Sequence, residues 1–171
     1  MKLITVHPRY WSLDSIYRKF VSDIGLLEGE KKYYKPPFSL AGKIVLDVGA
    51  YIGDSAKFFW ELGAKKIVCI EPLYFDQLRK NIVKYKINAE TIPEKFRLEH
   101  LKISHDFMKM DIEGWEEILL SVNPKDLMPS VLEIHSQPLK ERFKERGWEI
   151  MWEADKHGGN AYINNYSRAR S

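Results

Sequence analysis

Residues 43–72 read KIVLDVGAYIGDSAKFFWELGAKKIVCIEP, and their punctuation decides the fold. Ile44, Val45 and Leu46 form an apolar block too short for a helix and rich in β-branched residues, which predicts a buried strand. Asp47, Gly49 and Gly53 mark a tight turn, and Ala56, Phe59, Trp60 and Gly63 follow in a helical pattern. A second apolar block, Ile67-Val68-Cys69-Ile70, ends on Glu71-Pro72. Strand, glycine turn, helix, then a strand with an acid at its tip is the order that builds the nucleotide-binding half of a doubly wound α/β sheet.

Glycines at such a turn let the backbone approach a ligand, and the helix N-terminus offers unpaired N–H groups. The acid ending the second strand, about twenty residues on, can accept hydrogen bonds from both ribose hydroxyls. The dinucleotide fingerprint G-x-G-x-x-G is absent. In its place stands Asp47-Val48-Gly49-Ala50-Tyr51-Ile52-Gly53, with an acid two residues before the first glycine. That anion repels a pyrophosphate but attracts the ammonium and sulfonium of S-adenosyl-L-methionine. Asp47, Gly49, Ala50, Tyr51, Gly53, Glu71 and Pro72 are therefore the candidate cofactor residues. The plainer alternatives are a tight strand–helix turn and, for Glu71, an acid favoured near the next helix N-terminus.

A chain of 171 residues predicts one domain, with residues 1–40 as a helical prelude or lid and 41–171 as the core. Hydrophobic content of 44% beside 30% charged residues is that of a soluble globular protein. The formal charge of +3 gives no independent argument for nucleic acid. The single cysteine, Cys69, lies in an apolar strand, which excludes a disulfide framework and a zinc cluster. His7, Pro8 and Arg9 interrupt the N-terminus too early for a signal sequence, and no apolar run reaches the ~20 residues of a membrane span. The expected setting is a reducing cytoplasm, with no membrane partner.

In the prelude, Leu13, Ile16, Tyr17, Phe20 and Ile24 recur at helical spacing behind Ser12 or Asp14 as a cap, and Gly25 and Gly29 end the run. Lys31 to Phe38 reads as a basic, aromatic connector whose tyrosines could line the mouth of a site. Beyond Pro72, Asp76–Tyr85 is an amphipathic helix. Residues 89–105 are short for the strand, loop and helix such a sheet normally has there. Phe107–Ile112 reads as a strand, Trp115–Val122 as a helix broken by Asn123-Pro124, and Ser130–His135 as the next strand. Leu139, Phe143 and Trp148 pattern a helix that Gly147 stops, and His157-Gly158-Gly159 signals a hairpin turn between the last two strands.

Three stretches resemble the FkbM-type family of S-adenosylmethionine-dependent methyltransferases. They are IVLDVGAYIGDSAKFF with CIEP, FMKMDIEGWEEILL with its Asp-x-Glu-Gly-x-Glu pattern, and PSVLEIHS ending a late strand on Glu-x-His. Tyr51 stands where the family often has Asn. The resemblance implies a Rossmann-like class I methyltransferase fold: a three-layer α/β/α arrangement around a mainly parallel seven-stranded sheet with an antiparallel last strand. It also implies methyl transfer to oxygen, commonly a hydroxyl of a sugar or another small molecule.

Asp111 and Glu113 fall at the carboxyl end of a strand, where open α/β sheets bind ligands, although both could instead cap a helix with Glu116. Glu133 and His135 alternate along a strand and so share a face near the same rim. Asp111, Glu113 and His135 are the candidate catalytic residues, any of which could take the acceptor's proton. The rival arrangement gathers Asp111, Glu113, Glu133 and His135 around a Mg²⁺-like ion; no metal ligand is assigned. Amino-methylation of bases usually needs a proline pair where this chain has Asp111-Ile112-Glu113, and cytosine C5 methylation needs a cysteine there. An RNA methyltransferase and a trimmed, non-catalytic binding homologue are the alternatives.

Overall fold

The computed structural model describes residues 24–25, 28–153 and 161–166. Helix α1 (Glu28–Tyr34) precedes strand β1 (Ile44–Val48), helix α2 (Asp54–Glu61) and strand β2 (Lys66–Ile70). Helix α3 (Phe75–Lys84) and strands β3 (Ala89–Ile92) and β4 (Phe107–Met110) follow. Strand β5 (Ser130–Ile134), helix α4 (Gln137–Glu145) and strands β6 (Glu149–Glu153) and β7 (Ala161–Asn164) complete the order. The strands form one seven-stranded sheet in the order β3-β2-β1-β4-β5-β7-β6. All neighbours from β3 to β5 are parallel, and β7 runs antiparallel to both β5 and β6. The expected Rossmann-like architecture is observed. Among the described residues no helix is long and apolar enough to cross a membrane.

The strands are apolar on both faces because both are covered, which is why they read as continuous runs. On one face Val45, Ile67, Cys69, Phe107 and Val131 pack against Tyr34 of α1, Phe58 and Phe59 of α2, and Leu78 and Ile82 of α3. On the other, Leu46, Val48, Val68, Met108, Met110 and Leu132 meet Leu119, Leu120 and the α4 side chains Leu139 and Phe143. The period of two along a strand then sends Asp47, Lys109, Asp111, Glu133 and His135 to the α1–α3 face.

Three local expectations change. The segment after Trp115 is a 3₁₀ turn over Glu116–Ser121 followed by another over Pro124–Asp126, not an α-helix. The Glu116 side chain is drawn back into the loop before it, where it accepts the Ile112 and Gly114 N–H groups, and Asn123-Pro124 ends the segment. Between β3 and β4 the chain does build its third strand, but the expected helix shrinks to a 3₁₀ turn, Leu98–Lys102. The first half of the supposed connector is helical, since α1 runs through Gly29 to Tyr34. The prelude helix predicted before Gly25 and the His157-Gly158-Gly159 turn lie outside the described residues, apart from Ile24.

Candidate active site at the carboxyl edge of the sheet

Strand β1 delivers the chain into the glycine loop with three residues in the left-handed region, Gly49 at φ 74°, Tyr51 at 50° and Gly53 at 100°. Gly49 is obligatory on contact as well as on φ, because a β-carbon there would stand 1.8 Å from the Asp111 carbonyl oxygen. The loop and the end of β4 are thus in direct contact. Tyr51 takes a conformation that Asn would adopt at lower cost. Ala50 is buried, and the Asn81 amide of α3 holds the loop from behind by donating to the Ile52 carbonyl at 2.7 Å.

Asp47 lies beneath the loop and is fully buried. Its Oδ2 accepts the Ser55 hydroxyl at 2.6 Å, and its Oδ1 is 3.4 Å from the Lys109 ammonium. Asp47 and Lys109 are register partners on β1 and β4. The attraction of Asp47 for a cationic ligand is therefore partly cancelled by a cation already in place. Lys109 also donates to the Gly49 carbonyl at 2.8 Å. Burial alone pulls this ammonium's pKa down, but Asp47, Asp111 and Glu133 outweigh it and hold the group above its ordinary range.

Glu71, at the tip of β2, is buried and accepts three backbone N–H groups: Tyr51 at 3.0 Å, Leu73 at 2.6 Å and Tyr74 at 3.0 Å. It pins the glycine loop to the start of α3. A carboxylate offers roughly four lone-pair sites, so capacity for about one ligand hydroxyl remains rather than two. The Tyr51 ring meets the Tyr74 ring edge-on at 4.4 Å. Beside them opens a cavity of about 440 Å³ lined by Pro72, Tyr74, Phe75, Gln77, Lys80 and Pro93, among others. It sits at the β2–β3 end of the rim, away from the acids on β4 and β5.

Those acids converge as the sequence pattern predicts. The Nε2 of His135 lies 3.5 Å from Asp111 Oδ1, 3.7 Å from Glu113 Oε2 and 3.7 Å from Glu133 Oε1. Its Nδ1 is 3.6 Å from Glu116 Oε1. That Glu116 oxygen accepts the N–H of Ile112 at 2.9 Å and of Gly114 at 3.2 Å, so Glu116 folds the loop that carries Glu113 at φ 56°. Burial lowers the pKa of the imidazole, yet Glu116, Asp111 and Glu133 hold it up to about 10. Burial, then Asp111, pushes Glu133 up to about 7, and the same two causes raise Glu113. The cluster sets four carboxylates against the His135 imidazolium and the Lys109 ammonium.

Three members of this network were not singled out from the sequence as site residues: Lys109, Tyr34 and Glu116. The Tyr34 hydroxyl of α1 donates to Glu133 Oε2 at 2.6 Å, with Asp111 Oδ2 3.3 Å away. Burial first, then these two carboxylates, raises its pKa well above the ordinary value. A lone lysine inside the apolar strand Phe-Met-Lys-Met was the available signal, since a buried ammonium needs a carboxylate partner. For Tyr34 the only signal is its place in the aromatic connector, whose tyrosines could line the mouth of a site.

No protein-family model matches the chain, and no curated protein sequence matches it. Solved structures do. A S-adenosylmethionine-dependent O-methyltransferase from Thermotoga maritima aligns over 86% of this chain and 68% of its own, with TM-score 0.62 and 9% identity. A precorrin-6y C5,15-methyltransferase from Geobacter metallireducens aligns over 80% of this chain and 84% of its own, with TM-score 0.60 and 16% identity. Fibrillarin from Aeropyrum pernix, solved with natively bound S-adenosyl-L-methionine, aligns over 74% and 68%, with TM-score 0.56 and 18% identity. The fold is the one these methyltransferases share.

Proposed function

We propose that this chain is an S-adenosylmethionine-dependent methyltransferase of the FkbM type, acting on a hydroxyl of a small molecule or sugar. The observation that carries this reading is that the glycine loop, Glu71 and the Asp111–Glu113–His135 cluster share one edge of the sheet. Glu71 follows β2 and Asp111 follows β4 with β1 between them, so about 10 Å of rim separates the two. An elongated donor suits that span. An open depression of about 440 Å³ lies beside Pro72 at the cofactor end of the rim, and Gly49 leaves no room for a side chain against β4. Asp47, Gly49, Ala50, Tyr51, Gly53, Glu71 and Pro72 hold the cofactor, which supplies an electrophilic methyl group when bound.

Alignment of the acceptor is the main task of the protein in such a displacement. Asp111 and His135 hold the acceptor oxygen. Glu113 is the most exposed carboxylate of the cluster, with 52% of its side chain accessible, and takes the hydroxyl proton as the oxygen is methylated.

Calorimetric titration of the folded chain with S-adenosylmethionine and S-adenosylhomocysteine tests the donor. Saturable binding is expected, and a folded sample that binds neither overturns the reading. Methyl-labelled cofactor offered with hydroxylated small molecules, sugars and RNA then tests the acceptor. Asp111→Asn and His135→Ala should each abolish turnover and leave cofactor affinity intact. Lys32 and Lys35 are exposed on either side of Tyr34, so label entering RNA, with binding that weakens steeply in salt, would replace the sugar by a nucleic acid.

A further inference from the structure

Buried polar atoms in folded proteins are nearly always hydrogen-bonded, and an exception calls for an explanation. Among the described residues five buried side-chain polar atoms have no hydrogen-bond partner, and three of them belong to one cluster: Asp111 Oδ1, Glu116 Oε2 and His135 Nδ1. The other oxygen of each carboxylate has polar neighbours: Asp111 Oδ2 lies 3.3 Å from the Tyr34 hydroxyl and 3.9 Å from the Lys109 ammonium, and Glu116 Oε1 accepts the N–H groups of Ile112 and Gly114. Each acid is thus held by one oxygen and left with a free one. Metal-binding carboxylates are typically oriented in this way by outer partners.

We propose that Asp111, Glu116 and His135 form a binding site for one divalent cation. Each offers a ligand atom, and these atoms lie within 4.8 Å of one another. Metal–ligand bonds of about 2.0–2.2 Å put donor atoms of one shell about 3–4.4 Å apart, so the cluster needs only slight contraction. Glu116 supplies the strongest sign of a ligand: its side chain is 0% accessible, its Oε2 has no hydrogen-bond partner, and the His135 ring facing its carboxylate stands 3.6 Å away, beyond hydrogen-bond reach.

Charge argues the same way. Asp111, Glu113, Glu116 and Glu133 surround His135, so four carboxylates face two cationic groups, the imidazolium and a Lys109 ammonium shared with Asp47, and a bound cation takes the place of the imidazole proton. The contacts from His135 to these carboxylates, at 3.5–3.7 Å, are too long for hydrogen bonds. Two carboxylate oxygens and one imidazole nitrogen favour a first-row ion such as Mn²⁺, Co²⁺ or Zn²⁺ over Mg²⁺ or Ca²⁺. Asp111 and His135, 26% and 19% accessible, form the open side, where an acceptor oxygen could complete the shell. That last role rests on the methyltransferase reading, and the site itself does not. With a cation present, the acceptor hydroxyl becomes more acidic and its proton still passes to Glu113.

The test uses the full chain stripped of metal by chelator and titrated with Mn²⁺ alone, with free ion followed by electron paramagnetic resonance. One saturable site is expected, together with a rise in melting temperature. Co²⁺ should give an absorption spectrum that changes in His135→Ala. Asp111→Asn and His135→Ala should each weaken Mn²⁺ binding by at least about tenfold, whereas Glu90→Gln, an exposed acid on β3, should leave it unchanged. Circular dichroism checks that each variant is folded. Absence of saturable binding of Mn²⁺, Co²⁺ and Zn²⁺ to the folded wild type up to about 1 mM overturns the proposal, as does full affinity in folded His135→Ala. Cofactor calorimetry on the same metal-free sample separates the two readings, because donor binding without metal binding sinks only this one.

Discussion

At the scale of single residues, the pair Asp47–Lys109 joins β1 to β4 directly under the glycine loop. Neither side chain has meaningful exposure, so removing one leaves a buried charge without its partner. Lys109→Met should cost about 3–5 kcal/mol of folding stability, read from the urea midpoint. The double variant Asp47→Asn, Lys109→Met should recover a large part of that loss, since it removes both charges together. Additive losses would show that the two groups act independently. His105 gives a pH signature well away from this cluster. Its Nδ1 is 2.6 Å from the Ile103 carbonyl oxygen, and burial lowers its pKa from the ordinary 6.5 despite that contact. The unfolded chain therefore binds the proton more readily. The contribution is complete above pH 6.5 and is lost as the pH falls through the lowered folded value. The wild type should lose melting temperature faster than His105→Gln between neutral pH and mild acid, and parallel curves would refute the assignment.

At the scale of elements, β1, β2, β4 and β5 were readable because each is buried on both faces and so appears as a mostly apolar block, with Asp47, Lys109 and Glu133 standing inside β1, β4 and β5. Asp47, Glu71, Asp111 and His135 were readable because strand ends are where polar residues interrupt such runs. Lys109 escaped because its meaning depends on a register partner that lies 62 residues earlier in the chain. The 3₁₀ turn after Gly114 escaped because its apolar spacing suits an α-helix, and the inward pull of Glu116 on Ile112 and Gly114 shows only in the fold. Helix α1 escaped because its docking is wholly tertiary. Tyr33 stacks on Tyr162 of β7 at 4.5 Å, and Tyr34 sends its hydroxyl to Glu133 beside Asp111. Tyr34→Phe keeps the ring and removes the donor. It should cost about 1–3 kcal/mol and speed amide hydrogen exchange across α1, while Tyr33→Ala should loosen α1 without touching the acids. If Tyr34→Phe leaves exchange in α1 unchanged, ring packing alone holds the helix.

At the scale of the molecule, charge is distributed against its sum. The chain carries a formal +3, yet the carboxyl edge of the sheet gathers Asp47, Glu71, Asp111, Glu113, Glu116 and Glu133 against Lys109 and His135. Field at a cleft is set by what lines it rather than by net charge, so this edge should reject polyanionic nucleotides and accept a nucleoside bearing positive charge. A ligand that binds only the folded state stabilises it by mass action, by about 2.7 kcal/mol at one hundred times its dissociation constant. For a chain of this size that is roughly 5–11 °C in melting temperature. S-adenosylmethionine at such a concentration should produce that rise, and ATP at the same concentration should produce almost none. Both carry the same adenosine, so the comparison isolates the charge at its 5′ end. An equal rise with ATP would mean that the glycine loop and Glu71 form a general nucleotide cradle. The acids on β4 and β5 would then play no part in choosing the donor.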